Sequence, residues 1–182
     1  MLKNSPFPPI AVALFAVLAV TFAGAPNAFA VKTMIVGPVA LQVPDDFKVA
    51  EDGAPVIQQD ASAITVKVAE LPPQALHEFK GQAFLDFLAS LKYTNATYAT
   101  GTLKREGPYT YVLADAKGAK GPESRFLLVL GGQGRAAIVT AYAPKSEFEN
   151  GHASRAAIEA ILSSAAMASV VPAAPAEVGK KP

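Results

Sequence analysis

Between Arg125 and Pro144 the chain reads RFLLVLGGQGRAAIVTAYAP, and few folds accept such a stretch. Successive side chains of a strand point to opposite faces. Phe126, Leu128 and Leu130 therefore share one face of a first strand, and Leu127 and Val129 the other. The return strand repeats the arrangement, with Ala137, Val139 and Ala141 on one face and Ala136, Ile138 and Tyr142 on the other. A strand apolar on both sides belongs in the middle of a sheet that is covered on both sides. Gly131, Gly132 and Gly134 supply the positive φ angles that a tight hairpin turn needs.

The two ends read differently from this centre. Lys3 supplies a weakly positive start, and Ile10 to Ala23 is uncharged throughout. Gly24 and Pro26 break that run, and Ala28-Phe29-Ala30 has the small-x-small pattern of a signal-peptidase site. Residues 1–30 are expected to be a secretory signal peptide, cut between Ala30 and Val31. A membrane anchor needs about 20 apolar residues, more than this run provides, so no stable membrane insertion is expected after cleavage. Residues 168–182, ASVVPAAPAEVGKKP, alternate Pro and Ala without an apolar period. Such a segment buries too little surface to offset its ordering entropy, and a flexible tail is expected.

Residues 31–167 remain as a single domain of ordinary size. Once Lys3 leaves with the leader, fifteen basic side chains face fifteen acidic ones. A near-neutral balance argues against nucleic acid, which demands a basic face. The chain has no cysteine, which excludes disulfides, thiolate metal sites and a lipidated cysteine after the leader. These features fit the bacterial periplasm.

Along the domain, Lys32–Val36 and Val39–Val43 read as short strands about a Gly37-Pro38 bend, with Pro44-Asp45-Asp46-Phe47 as a turn. The adjacent carboxylates lack the spaced oxygens of a calcium loop. Pro55–Gln59 is a further short strand. In the strand from Ile64, Val66 and Val68 alternate with Thr65, Lys67 and Ala69. After Pro72-Pro73, Leu76, Phe79, Ala83, Phe84, Phe87, Leu88 and Leu91 recur at helical spacing. Gly81 is expected to break this pattern into a short turn and a main helix, Gln82–Lys92. Thr97–Arg105 and Tyr109–Asp115 are expected to form a hairpin across Glu106-Gly107-Pro108, and Ala116–Glu123 a flexible polar loop. A second helix is expected from about Ala153 to Ala166. The expected class is α+β, a mainly antiparallel sheet with helices on both faces.

The segment VALQVPDDF at Val39–Phe47, the mid-chain helix, and the Arg125–Pro144 hairpin running into a C-terminal helix resemble the PsbP-like family. That family is named for the extrinsic P subunit of photosystem II and has bacterial exported members. The resemblance spans most of residues 31–167. It implies an α/β/α sandwich and a non-catalytic role, docking to or assisting another protein, and it transfers no functional residue to a position here.

No catalytic constellation is legible. His77-Glu78 opens like a zincin helix, but Gly81 stands where the second histidine is required. His152 sits at a helix entry. No serine lies on a glycine-flanked elbow, and the GGQGR loop opens a strand where a phosphate cradle opens a helix. The chain is therefore expected to be no enzyme and to hold no metal or cofactor. Arg125 and Arg135, which flank the central hairpin, and Tyr109 and Tyr111, which share one strand face, are the candidate partner-binding residues. The competing readings are pairing of Arg125 with Glu123 and core packing of the tyrosines. The expected function is to bind an envelope protein as an assembly or accessory factor. The alternatives are a carrier holding a small apolar ligand between the sheet and the helix that bears Phe79, Phe84 and Phe87, and, least favoured for want of a nucleophile, base and orienter, a hydrolase.

Overall fold

The computed structural model describes residues 30–50, 56–59, 63–99, 102–132 and 134–169. The expected leader, except Ala30, and residues 170–182 of the expected tail lie outside them. The doubly apolar hairpin forms as β8 (Gly121–Gly132) and β9 (Arg135–Pro144). Gly132 pairs with Arg135, and Gly134 turns the chain at φ +71°. A seven-stranded sheet grows outward from this ribbon. β5 (Ile64–Leu71) pairs with β9, followed by β4 (Val56–Gln59) and β3 (Phe47–Val49). On the other side β7 (Tyr109–Gly118) pairs with β8, and β6 (Thr94–Tyr98) closes that edge. Every neighbouring pair is antiparallel.

The two faces of the ribbon enter two separate cores, as the alternation of its side chains requires. Phe126, Leu128, Leu130, Val139 and Ala141 join one cluster with Ile158, Ile161 and Leu162 of helix α4 (Arg155–Ser164). Leu127 and Val129 join a second with Phe84 and Leu88 of helix α2 (Gly81–Ser90). Helices therefore cover both faces. Beside α4 lies a second, three-stranded sheet: β1 (Val31–Val36), β2 (Val39–Pro44) and β10 (Ala166–Met167). Its β2 strand is amphipathic: Val39, Leu41 and Val43 are buried and Gln42 is exposed. With one apolar face to bury, this hairpin packs over the main sheet and does not extend it. Ser164 Oγ accepts from the Gln42 backbone N–H at 2.9 Å and ties the two covering pieces together.

Several local expectations shift. The helical stripe breaks as expected, into α1 (Ala75–Glu78) and α2, with Gly81 at φ +67°. The strand expected at Thr97–Arg105 lies earlier, as β6, because Lys92 (φ +64°) turns the chain directly after α2; Asn95 (φ +54°) then lies within β6, where the pairing register shifts between Thr94 and Thr97. Leu103 then leaves the sheet and plugs the core from the connecting loop. Residues 116–123, expected as a loop, are paired strand. Ala116 faces Glu123 and Gly118 faces Gly121, leaving a two-residue turn. Polar composition hid a ladder that backbone pairing sustains. A further short helix, α3 (Lys145–Glu149), follows β9.

Gly131 is a position where small size matters. A Cβ there would collide with Leu76 Cδ1 of α1. Gly131→Ala is expected to destabilise the fold by about 1–3 kcal/mol through overpacking, read as a lower urea midpoint at unchanged m-value.

Candidate functional site

Helices α1 and α2 cover only part of their face of the main sheet. Beneath α2 lie Val112, Ala114, Leu127 and Val129, all buried. On the same face of β5, Lys67 and Ala69 are exposed, and Thr140 and Tyr142 of β9 are half-buried. The uncovered half is organised by one row of side chains. Arg125 and Tyr142 are direct cross-strand partners, so their side chains rise together. The Arg125 guanidinium lies 5.1 Å from the Tyr142 ring centroid and 5.2 Å from that of Tyr93, which follows α2. The Lys67 ammonium sits 5.5 Å from the Tyr142 ring on its β5 side. Cations within about 6 Å of a ring are attracted by its quadrupole. The result is a row Lys67–Tyr142–Arg125–Tyr93 across three strands and the end of a helix.

Hydrogen bonds fix the centre of this row. Arg125 donates from Nε (3.1 Å) and Nη2 (2.8 Å) to Glu123 Oε2, and from Nη1 to the Tyr93 hydroxyl at 2.9 Å. Glu123 is 8% exposed and lies over Gly118, where a Cβ would collide with its carboxylate. Burial alone lowers the pKa of Arg125, but the hydrogen bonds to Glu123 and Tyr93 outweigh it and hold the guanidinium above its ordinary value. Its charge is therefore locked, and it stiffens the tyrosines on either side.

The other candidates from the sequence fall elsewhere. Arg135 pairs with Glu70 at 2.9 Å on the opposite face, at the far end of β9. Tyr111 is 2% exposed in the α4-side core, with its hydroxyl 3.4 Å from Glu159 Oε1. Burial is the main cause that pushes its pKa well up. Tyr109, on that same face, donates to the Leu103 carbonyl at 3.3 Å beneath the Arg105 guanidinium. Of the four, only Arg125 belongs to the uncovered row. At the expected cleavage point, Val31 opens β1 and Ala30 is exposed.

Lys67, Tyr93 and Tyr142 were not singled out from the sequence. Tyr142 was within reach of it, because counting back from the Gly132–Arg135 turn pairs it with Arg125. Lys67 and Tyr93 come from distant segments, and only the tertiary pairing of β5 with β9 and the landing of α2 bring them in.

A shallow groove of about 210 Å³ lies on the α4 side, lined by Asn95, Asp115, Ser124 and Arg155 among others. Asp115 accepts from Lys145 Nζ at 2.7 Å and Asn95 Nδ2 at 2.9 Å. The Lys145 bond, then the Asn95 bond, hold its carboxyl below the ordinary value. A depressed carboxyl pKa stabilises the fold above the unfolded value, near pH 4, and the stabilisation is lost as pH falls through the folded value. Wild type is thus expected to lose more stability than Asp115→Asn between about pH 5 and pH 2, measured by urea midpoints at each pH. Equal losses would remove Asp115 from the acid response.

Among the described residues, no group of three His, Asp or Glu side chains is placed to hold a metal. Both histidines are exposed. No described helix is long and apolar enough to cross a membrane.

No protein-family model and no curated protein sequence matches the chain. The fold is similar to the solution structure of cyanobacterial PsbP (CyanoP) from Synechocystis sp. PCC 6803, with a TM-score of 0.48. The alignment covers 82% of this chain and 99% of that one at 10% sequence identity. At that identity the likeness is one of architecture. The α+β class, with an antiparallel sheet between helices, stands on the strand pairing itself.

Proposed function

We propose that this chain is a non-catalytic domain that docks a protein partner in the bacterial envelope after export, as an assembly or accessory factor. The observation that carries the reading is the uncovered half of the main sheet with its row of tyrosines and cations. Tyrosine and arginine are enriched at protein interfaces; tyrosine brings large, rigid contact area at small entropic cost, and arginine a planar fork of donors. Here both are held in place before any partner arrives, by Glu123 and by the pairing of β8 with β9. Preorganisation of this kind lowers the ordering cost of association.

The apolar-carrier alternative has less support. Phe79, Phe84 and Phe87 pack on one another, with ring centroids 4.9, 5.8 and 6.4 Å apart. Phe84 is 2% exposed. Phe84 fills the space between helix and sheet itself, and Phe87 is 45% exposed, so the rings do not line an enclosed cavity.

Affinity capture from envelope extracts of the host tests the docking reading, using the wild type, Lys67→Glu and Ala69→Trp. Both positions are exposed, so the fold is expected to survive either change. A protein retained by the wild type and lost by both variants is the expected result. Equal recovery by all three would contradict it. A small apolar molecule co-purifying with all three in native mass spectrometry would favour the carrier.

A further inference from the structure

The uncovered half-face is charged unevenly. Lys67 of β5 and Arg125 of β8 rise from it, since Val66 and Phe126 beside them point into the opposite core. Among the described strand residues of this face, Glu123 is the one carboxylate, and it is spent on Arg125. We propose, building on the docking reading above, that the face receives an acidic, extended segment of the partner protein. Its carboxylates would engage the edge of Arg125 left open beside Glu123 and the ammonium of Lys67, with the chain between them lying on the Tyr142 ring.

The geometry narrows the segment further. The Tyr142 centroid is 5.5 Å from the Lys67 ammonium and 5.1 Å from the Arg125 guanidinium, so the two cations lie no farther apart than these lengths together. An extended chain advances about 3.3 Å per residue. Two carboxylates two residues apart on a strand point to the same face and lie about 7 Å apart, within that limit. The side chain between them points away from the face, so it is the backbone of the segment that lies over the phenol ring. Arg125 is 23% exposed at its side chain and is pre-oriented by three hydrogen bonds, so a carboxylate meets a guanidinium that needs no rearrangement. The lysine is exposed and flexible, and supplies the adjustable contact.

A titration of the exported chain, followed by backbone amide shifts, tests this. The probe is a capped octapeptide of alternating Glu and Ala, with a Lys–Ala octapeptide as control. The expected result is saturable shifts at Lys67, Arg125, Thr140 and Tyr142 with the acidic peptide alone, weakening as salt is raised. Lys67→Glu is expected to reduce the affinity about tenfold. Absence of saturable shifts at low salt, or an affinity unchanged in Lys67→Glu, would overturn the proposal. So would Lys67-dependent binding to phosphatidylglycerol vesicles without binding to the peptide, which would reassign the face to lipid. Should a protein partner be found whose contacting segment lacks paired carboxylates, this inference fails and the docking reading stands.

Discussion

Leu128→Ala is expected to destabilise the protein by about 2–5 kcal/mol. Leu128 is fully buried near the middle of β8, with Tyr111 of β7 and Val139 of β9 as its direct cross-strand neighbours. Its side chain is held by strands on both sides and by the α4-side core above. The site therefore has little freedom to collapse around a cavity, which puts the cost in the upper part of that range. Leu91→Ala is the matching control. Leu91 is 54% exposed beyond the end of α2, and its loss is expected to change stability by less than about 1 kcal/mol. Urea midpoints at unchanged m-value read both. A Leu128→Ala cost no larger than that of Leu91→Ala would contradict a ribbon buried on both faces.

Glu123→Ala is the second large change, at about 1–3 kcal/mol. Removing the carboxylate strands the Arg125 guanidinium, which keeps only its bond to Tyr93. A fully buried pair broken in this way costs more. Here the two side chains are 23% and 11% exposed, so water screens the stranded charge in part. Arg125→Met alone strands the Glu123 carboxylate, the more buried of the two partners, and is expected to cost at least as much as Glu123→Ala although neutral Met packs between the tyrosines. The double variant Glu123→Ala/Arg125→Met is expected to be more stable than the two single losses predict. That non-additivity, about 0.5–3 kcal/mol in a double-mutant cycle, measures the coupling that holds the row in place. Strict additivity would show that the row is not a unit.

The parts of the fold legible in the sequence are those where one physical signal dominates. Two-faced hydrophobicity placed β8 and β9 in the centre, and the break at Gly81 divided the helical stripe as the residues imply. The misplacements share a cause. Where composition is polar, as in residues 116–123, backbone pairing overrides it and extends the strands. At β6 the turn at Lys92, with its positive φ, starts the strand three residues earlier than propensity places it. The separate three-stranded sheet was not foreseen, because alternation over Val39–Val43 says that one face is buried without saying against what. The candidate site was legible at one point, Arg125. Tyr109 and Tyr111, two residues apart and so on one strand face, are the tyrosines that the spacing singles out, yet both face the α4-side core. Tyr93 and Tyr142, separated by about fifty residues, are the pair that flank Arg125.

The account centres on the uncovered half of the main sheet as the docking face. A photo-crosslinking residue placed at Ala69, exposed on that face, and in a second chain at Ala160, exposed on the outer side of α4, compares the two sides of the molecule in intact envelopes. The account predicts a discrete crosslinked protein from position 69, lost when Lys67→Glu is added, and none from position 160. Crosslinking from position 160 alone, or equally from both and indifferent to Lys67, would contradict it.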